Sequence, residues 1–201
     1  MSETCKKCFL WEHSKHQFLK GSGDLGLAKL AIFVDQPNFM DDKRGRYFVS
    51  EGADLLRYLL ARMGLKPTDY YLAYTLCCCA GKKLPGKKAE RLAVVQSCTE
   101  YRLATLQNMP NLKAIVALGA VSSEAFTHRT AIGETEGCDW FAMENGVREL
   151  GVENIWVAYS MAYLFEKPSE TPSVYRVLWK AAEQAGLNPT ETKLQPYNWN
   201  I

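Results

Sequence analysis

The sequence predicts an α/β protein with an open, mainly parallel sheet. Short apolar runs rich in branched and aromatic residues alternate with longer stretches of helical periodicity, the pattern expected of strands and helices in turn. The chain has 201 residues, 47% of them hydrophobic and 23% charged, which is a globular composition with enough length for a substantial core. No apolar run is long enough to span a bilayer. We therefore expect a single domain over residues 1–201 and no membrane partner.

Four strands are expected in chain order. Their ranges are Lys29 to Val34, Tyr70 to Leu76, Leu112 to Leu118 and Asn154 to Tyr159. A helix from about Glu51 to Met63 separates the first two strands, and Gly64 ends it. Its apolar stripe consists of Leu55, Leu56, Leu59, Leu60 and Met63.

The second half of the chain predicts three more helices. One is expected from about Ala89 to Asn108, and another starts near Ala120. The last has Thr171 as N-cap and Pro172 at the first helical position, and it closes near Gly186. Because the sequence after Gly186 lacks periodicity, residues 187–201 are expected to form an irregular tail that lies against the surface or frays.

Cysteine spacing predicts a metal centre. Cys5 and Cys8 form a C-x2-C pair, whose short turn aims both thiolates at one point. One cysteine of the run 77–79 and Cys98 would complete a set of four ligands. Buried packing thiols or disulfides are the alternatives. Ligand count alone does not separate zinc from an iron–sulfur cluster, since both accept four cysteines.

The start of the chain and its charge indicate where the protein works. No apolar signal segment precedes Cys5, so a cytoplasmic, reducing compartment is expected, where disulfides are rare. The formal net charge of +2 is too small to argue for a nucleic-acid partner by itself. A local cluster lies between the proposed third and fourth ligands and consists of Lys82, Lys83, Lys87 and Lys88. It predicts either a loop that contacts phosphates or a solvated loop.

Residues that follow the strands predict a binding crevice, because ligands of open parallel sheets bind at the carboxyl ends of the strands. The first strand is followed by Asp35-Gln36-Pro37-Asn38, and the second carries Tyr74 and the cysteine run at its end. Gly119 after the third strand permits a tight turn and an exposed helix N-terminus. The fourth strand leads into an apolar segment, Ser160 to Phe165.

Taken in order, these segments resemble the family 4 uracil-DNA glycosylases, the iron–sulfur branch that includes relatives of the N-terminus of certain phage DNA polymerases. The resemblance covers roughly Cys5 to Pro168. AIFVDQPN is similar to the family's strand plus GEAPG, Gly21-Ser22-Gly23 to its Gly-x-Gly, and Ala117-Leu118-Gly119 to its vaLG. The most specific match is the stretch from Asp41 to Leu56, which resembles ED-x2-GRPFVG-x-AG-x-LL. Tyr71 to Cys78 is similar to YITN-x2-KC, and Ser160 to Phe165 falls on HPAYLL.

The resemblance implies a three-layer α/β/α sandwich around a central four-stranded, mainly parallel sheet. It also implies a structural [4Fe-4S] cluster, with zinc as the alternative, on Cys5, Cys8, Cys78 and Cys98. Cys77 and Cys79 stay open as substitutes for the third ligand. Cys138 is expected to be a packing thiol.

The resemblance further implies how DNA would be held. The target base leaves the duplex and stacks on Phe48, with Gln36 and Tyr74 in the base pocket. The loop from Ser160 to Phe165 would enter the minor groove, where Tyr163 contacts DNA and Leu164 or Phe165 fills the vacated space. Contacts to phosphates are assigned to Arg46, Lys167, Lys82 and Lys83. Phe48 as an ordinary core aromatic and solvated basic residues are the plain alternatives.

Three positions depart from the family pattern, and all three bear on catalysis. Asp35 stands at the carboxylate position of GEAPG, with a side chain one methylene shorter than the family's. It would orient water or stabilise positive charge on the sugar, or else simply cap a turn. Tyr74 replaces an asparagine that reads the edge of uracil, and its hydroxyl does not offer the paired donor and acceptor of an amide. Ser160, assigned to catalysis, replaces a histidine.

Two functions follow from these observations. The first is a DNA glycosylase that hydrolyses the N-glycosidic bond of a flipped uracil or modified pyrimidine and needs no soluble cofactor. The alternative is a catalytically silent DNA-binding or replication-accessory relative that keeps the fold and the cluster. A purely redox carrier is disfavoured, because such a role does not require the GRYFV segment. DNA is the expected partner, with replication proteins as a further one, and the chain is expected to be a monomer.

Overall fold

A computed structural model describes the chain at residues 5–17, 21–81, 84–130, 132, 140–141, 147–152, 154–193 and 195–198. Its sheet contains β1 (Leu30–Val34), β2 (Tyr70–Tyr74), β3 (Ala114–Leu118), β4 (Trp140–Phe141) and β5 (Asn154–Ala158). The spatial order is β2-β1-β3-β5-β4. The first four strands in this order pair in parallel, whereas β4 runs antiparallel to β5 at the edge. The predicted parallel sheet of four strands is therefore confirmed, and the short β4 is an addition.

The helices cover both faces of the sheet. They are α1 (Phe39–Arg44), α2 (Glu51–Arg62), α3 (Lys88–Gln96), α4 (Thr99–Gln107), α5 (Ala120–Thr127), α6 (Met161–Glu166) and α7 (Thr171–Gln184). Short 3-10 turns occur at Phe9–Glu12, Arg148–Leu150 and Pro168–Glu170. Because parallel strands are buried on both faces, β1 and β3 read as continuous apolar runs rather than as alternating ones.

Two buried cores lie on opposite faces of the sheet and make the three layers. Leu30 and Ile32 of β1 pack in the core that contains the buried residues of α2 and α7. Ala31 and Phe33, which point the other way, pack in the core that contains residues of α3, α4 and α5. The α/β/α sandwich that the resemblance implied is confirmed. Each core excludes apolar side chains from water, which is the dominant favourable contribution to folding.

The predicted apolar stripe of α2 is confirmed, because all five of its residues are buried. Two other local predictions need correction, and one helix was missed. The helix expected from Ala89 to Asn108 is broken at Ser97 and Cys98 into α3 and α4. Thr171 is the first residue of α7 and not its N-cap, a position that Glu170 holds. The sequence analysis also missed α1, which is only six residues long.

The tail after Gly186 has neither helix nor strand in its described part, and it runs along α2 instead of fraying. The amide of Thr190 donates to the carbonyl of Met63 at 3.0 Å, and that of Thr192 donates to the carbonyl of Arg62 at 2.7 Å. Tyr197 packs on Tyr58 with ring centroids 5.3 Å apart. Among the helices described, none combines the length and the apolar character that a membrane span requires.

Candidate functional site

A cleft of about 590 Å³ opens at the carboxyl ends of β1 and β2. Its walls come from the β1–α1 loop, the turn between α1 and α2, and the start of α6. Six predicted site residues line it, namely Asp35, Gln36, Phe48, Tyr74, Ser160 and Phe165. The topology explains this convergence, because β1 and β2 are paired neighbours and their ends meet at one edge.

Asp35 follows β1 and lies against the first turn of α5. Its Oδ1 accepts a hydrogen bond from the amide of Ser122 at 2.8 Å. Burial raises the pKa of Asp35 to about 6, and the hydrogen bonds from Ser122 and Val121 offset only part of this effect. Gly119 permits the approach: a Cβ there would lie 2.3 Å from Oδ2 of Asp35, and its φ is +105°. The carboxyl thus caps α5 and also faces the cleft.

The turn that carries Phe48 is organised by one buried acid, Asp41. Asn38 caps α1 and Asp41 completes the capping box, accepting from the amide of Asn38 at 2.9 Å. The other oxygen of Asp41 accepts from the amide of Val49 at 2.8 Å. Phe48 itself adopts a left-handed backbone with φ +53°, which is costly for a residue with a side chain. This loop is therefore held in shape by side-chain contacts.

Phe48 and Tyr74 stack face to face at the base of the cleft. Their ring centroids are 4.3 Å apart and the planes differ by 4°. The amide of Phe48 donates to the hydroxyl oxygen of Tyr74 at 2.8 Å. Both residues are buried, with exposures of 3% and 5%. Burial raises the pKa of Tyr74 well above its ordinary value, and the charge of nearby Asp41 adds to this effect, so the hydroxyl stays protonated.

Gln36 and Ser160 line the cleft but are engaged with the backbone. Oε1 of Gln36 accepts from the amide of Ala80 at 3.0 Å. Oγ of Ser160 accepts from the amide of Tyr163 at 3.3 Å and so acts as the N-cap of α6. The serine hydroxyl therefore has a structural role at the position where the family carries a histidine.

The expectation that Leu164 projects into DNA needs correction. Leu164 has 0% exposure and belongs to the core between the sheet, α2 and α7. Its place in α6 explains this, because Leu164 and Met161 are spaced i, i+3 on the buried face of that helix. Phe165, which is half-buried, lines the cleft in its stead. Tyr163 stacks on Tyr159 with centroids 4.6 Å apart.

The basic residues assigned to phosphates fall into two groups. Arg46 is exposed near the cleft but does not line it. Lys167 is exposed, with its Nζ 5.5 Å from the ring centroid of Tyr163. Lys82 and Lys83 lie outside the described residues.

Arg57 is a site residue that the sequence analysis missed. Its Nη1 donates to the carbonyl of Phe48 at 2.7 Å and pins the strained turn from the side of α2. A lone arginine on the polar face of a helix carries no signal that distinguishes this role. Only the fold, which brings α2 beside the turn, reveals it.

The predicted metal ligands also converge. One small cavity is lined by Cys5, Cys8, Cys77, Cys78 and Cys98. Cys79 does not line this cavity. Burial raises the pKa of its thiol, and the nearby charges of Asp42 and Asp41 raise it further. Of the three adjacent cysteines, Cys77 and Cys78 line the cavity, so either could serve as the predicted third ligand. Cys138 lies outside the described residues. The break between α3 and α4 places Cys98 at the cavity, at the start of α4.

Four cysteine thiolates are ligands that both a zinc ion and an iron–sulfur cluster accept. Within the described ranges, His, Cys, Asp and Glu form no group of three or more arranged for a single metal ion. Zinc requires thiolates within about 2.3 Å of one point, whereas a cluster holds them farther apart, around several iron atoms. A hydrogen bond from Cys77 lowers the pKa of Cys98 to about 7, assisted by Arg102 and Lys7. Soft thiolates in such surroundings suit iron–sulfur ligation.

The cysteine cavity and the cleft are joined by Asp42. Its carboxylate accepts from the amides of Lys15 at 2.9 Å and His16 at 2.7 Å, which ties the N-terminal segment to α1. The ring of His16 in turn packs on Gly45, where a Cβ would lie 2.8 Å from Nε2. A group that fixes Cys5 and Cys8 would therefore also brace the turn that carries Phe48.

Comparisons with known proteins agree with this arrangement. The family model of the uracil DNA glycosylase superfamily matches residues 21–183. The Type-4 uracil-DNA glycosylase of Pyrobaculum aerophilum is 26% identical over 172 residues, which are 83% of this chain and 82% of the relative. That of Thermotoga maritima is 25% identical over 186 residues, 92% of this chain and 91% of the relative. A third, from Archaeoglobus fulgidus, is 28% identical over 122 residues, 60% of this chain and 57% of the relative.

Proposed function

Because the chain belongs to the uracil-DNA glycosylase superfamily, we propose that it is a DNA glycosylase that hydrolyses the N-glycosidic bond between deoxyribose and an extruded pyrimidine, either uracil or a modified one. The observation that carries this proposal is the position of Asp35. A carboxyl with a pKa of about 6 lies at the wall of a cleft that is roomy enough for a nucleobase. The similarity to proteins named Type-4 uracil-DNA glycosylase supports DNA as the partner.

In the proposed reaction Asp35 acts on water and on charge. At neutral pH a group with a pKa of about 6 is mostly ionised and remains basic enough to accept a proton from an attacking water. The same carboxylate stabilises the positive charge that develops on the sugar while the base departs. The hydrogen bond from Ser122 fixes its orientation, so no reorganisation is needed during the reaction.

The cysteines have a structural role in this proposal. Cys5, Cys8 and Cys98, with Cys78 or Cys77, would hold a [4Fe-4S] cluster. When bound, the cluster supplies cross-linking of distant chain segments and takes no part in hydrolysis. Asp42 transmits this bracing to α1 and the Phe48 turn through its two backbone contacts.

DNA is proposed to lie across the mouth of the cleft. Phe165 stands at the cleft wall beside the exposed Ala162, and Lys167 lies next to Tyr163. Arg46 is exposed two residues before Phe48, in the turn between α1 and α2. These cations would neutralise phosphates and position the duplex, while base contacts come from inside the cleft. We propose that the chain acts on DNA as a monomer in the cytoplasm.

One observation favours the alternative, a DNA-binding relative without turnover. One face of the Phe48 ring is covered by Tyr74, so no base can stack on that face in this structure. Purified protein incubated with single-stranded and duplex oligonucleotides containing uracil or modified pyrimidines, followed by alkaline cleavage of abasic sites, separates the two functions. Strand scission that disappears in Asp35→Asn supports the glycosylase. Tight binding without scission supports the alternative.

A further inference from the structure

We infer that Tyr74 is an internal occupant of the base site, a side chain that takes the place of an extruded base on Phe48 and closes that place to uracil. This inference rests on the proposed function, since it assigns the Phe48 ring to base stacking. It makes Tyr74 a specificity-determining residue, and Tyr74→Ala is then the change that opens the site to a pyrimidine.

The contacts of the Tyr74 phenol are those of a bound ligand. The ring lies flat on Phe48, with centroids 4.3 Å apart and planes 4° from parallel. Its oxygen accepts from the backbone amide of Phe48 at 2.8 Å, and the carboxylate of Asp41 lies close enough to raise the pKa of the hydroxyl. A pyrimidine with adjacent C=O and N–H groups needs the same three partners: a ring to stack on, an N–H donor and an acceptor.

The surroundings are built to keep their shape around that ring. Phe48 holds a left-handed backbone, a conformation that persists only where neighbouring contacts enforce it. Arg57 binds the carbonyl of Phe48, and Asp41 binds the amide of Val49 on the other side. Neither contact involves Tyr74, so both remain when its side chain is truncated. Tyr74→Ala should therefore leave a preformed cavity with a donor, an acceptor and a stacking face.

In the native chain a base reaches Phe48 only if the phenol leaves. Both rings are nearly fully buried, so departure of Tyr74 gives up the stack and the hydrogen bond from the amide of Phe48. The apparent affinity equals the intrinsic affinity multiplied by the fraction of molecules in which the site is open. We expect Tyr74→Ala and Tyr74→Asn to process or bind a uracil-containing single strand on the order of tenfold to a hundredfold better than the native chain does.

The decisive experiment is a thermal-shift titration of Tyr74→Ala with phenol, uracil and toluene. Engineered apolar cavities take up small aromatic molecules. The inferred site should prefer phenol and uracil to toluene, and phenol at about ten times its Kd should raise Tm by about 4 °C. Tyr70→Ala is the matched control, because Tyr70 lies on the same strand and faces the same core. Its cavity should prefer toluene. Tyr74→Phe, which keeps the ring, should respond to none of them.

The outcomes separate this inference from the proposed function. If Tyr74→Ala binds phenol and uracil but neither it nor the native protein cleaves the oligonucleotide, the inference is supported and the proposed glycosylase activity is overturned. A folded Tyr74→Ala that ignores phenol and uracil, or prefers toluene as the Tyr70 control does, overturns the inference. Should Tyr74→Ala fail to fold, Tyr74→Asn is titrated with uracil in its place, with the same criteria. Native protein that cleaves uracil as fast as Tyr74→Asn also overturns it.

Discussion

On the Phe48 side of the cleft, each polar group in the described contacts is paired with an atom of the chain, whereas on the Asp35 side a carboxyl is held where its charge is disfavoured. Tyr74, Asp41 and Arg57 satisfy the backbone around Phe48. Asp35 has a raised pKa because the hydrogen bonds from α5 do not offset its burial. The contacts around Phe48 add to the stability of the folded protein, whereas burial of the Asp35 charge lowers it. This difference is expected if Asp35 has the proposed catalytic role in a rigid frame.

The largest effect that this contrast predicts is on turnover. Asp35→Ala should lower the rate of uracil excision by about 10²–10⁴-fold, the usual contribution of a positioned acid or base. Single-turnover cleavage of a uracil oligonucleotide measures the rate. Gln96→Ala, a change at the exposed end of α3 that lines neither the cleft nor the cysteine cavity, serves as control. An Asp35→Ala protein that cleaves at the native rate would remove Asp35 from the chemistry.

The second effect is on stability and has a definite sign with pH. Because folding raises the pKa of Asp35 from 3.8 to about 6, the folded state binds the proton more tightly. The stability from this group is therefore present below pH 3.8 and is lost as pH rises through 6. At 1.36 kcal/mol for each pH unit this loss approaches about 3 kcal/mol.

Asp35→Asn removes that dependence, since the amide keeps an oxygen for the amide of Ser122. We expect Asp35→Asn to be more stable than the native protein at pH 8, by up to about 3 kcal/mol, and to have no advantage at pH 3.5. Urea unfolding at both pH values measures the difference. An equal difference at both would mean that Asp35 titrates normally.

The contrast also explains how much the sequence foretold. Apolar runs located all four parallel strands, and the spacing of leucines located α2, because both patterns record burial directly. Shared strand ends brought Asp35 and Tyr74 together. Residues that act through backbone contacts at a distance, such as Arg57, leave no periodic mark. Leu164 is a different case, because its apolar side chain suits a wedge in DNA and a place in the core equally well.

The stacking of Tyr74 on Phe48 was beyond sequence reasoning for a different reason. Tyr74 ends a buried strand and Phe48 lies in a turn 26 residues earlier. Their contact depends on the left-handed backbone at Phe48, which no residue type there announces. The break at Ser97 and Cys98 lies among weak helix formers, Val94, Val95, Ser97, Cys98 and Thr99, but weak propensity alone does not fix where a helix ends.

The third effect tests the side of the cleft around Phe48. Asp41→Ala removes the acceptor for the amides of Asn38 and Val49. Asp41 is 2% exposed, so these donors are left without a partner, at about 2–4 kcal/mol of unfolding free energy. Chemical denaturation measures the loss. Asp54→Ala, an exposed acid on α2, is the control and should change stability by less than about 0.5 kcal/mol. A similar small loss for Asp41→Ala would show that the turn stands without it.

The smallest effect lies on the rim, outside both sides of the cleft. Arg46 is exposed, so Arg46→Ala should change stability by less than about 0.5 kcal/mol. If Arg46 contacts a phosphate, the variant binds all sequences more weakly, and the slope of log K against log salt falls by about 1. Fluorescence anisotropy with a labelled oligonucleotide at several salt concentrations measures that slope. An unchanged slope would show that Arg46 does not contact DNA phosphates and would leave Lys167, beside Tyr163, as the cation to test next.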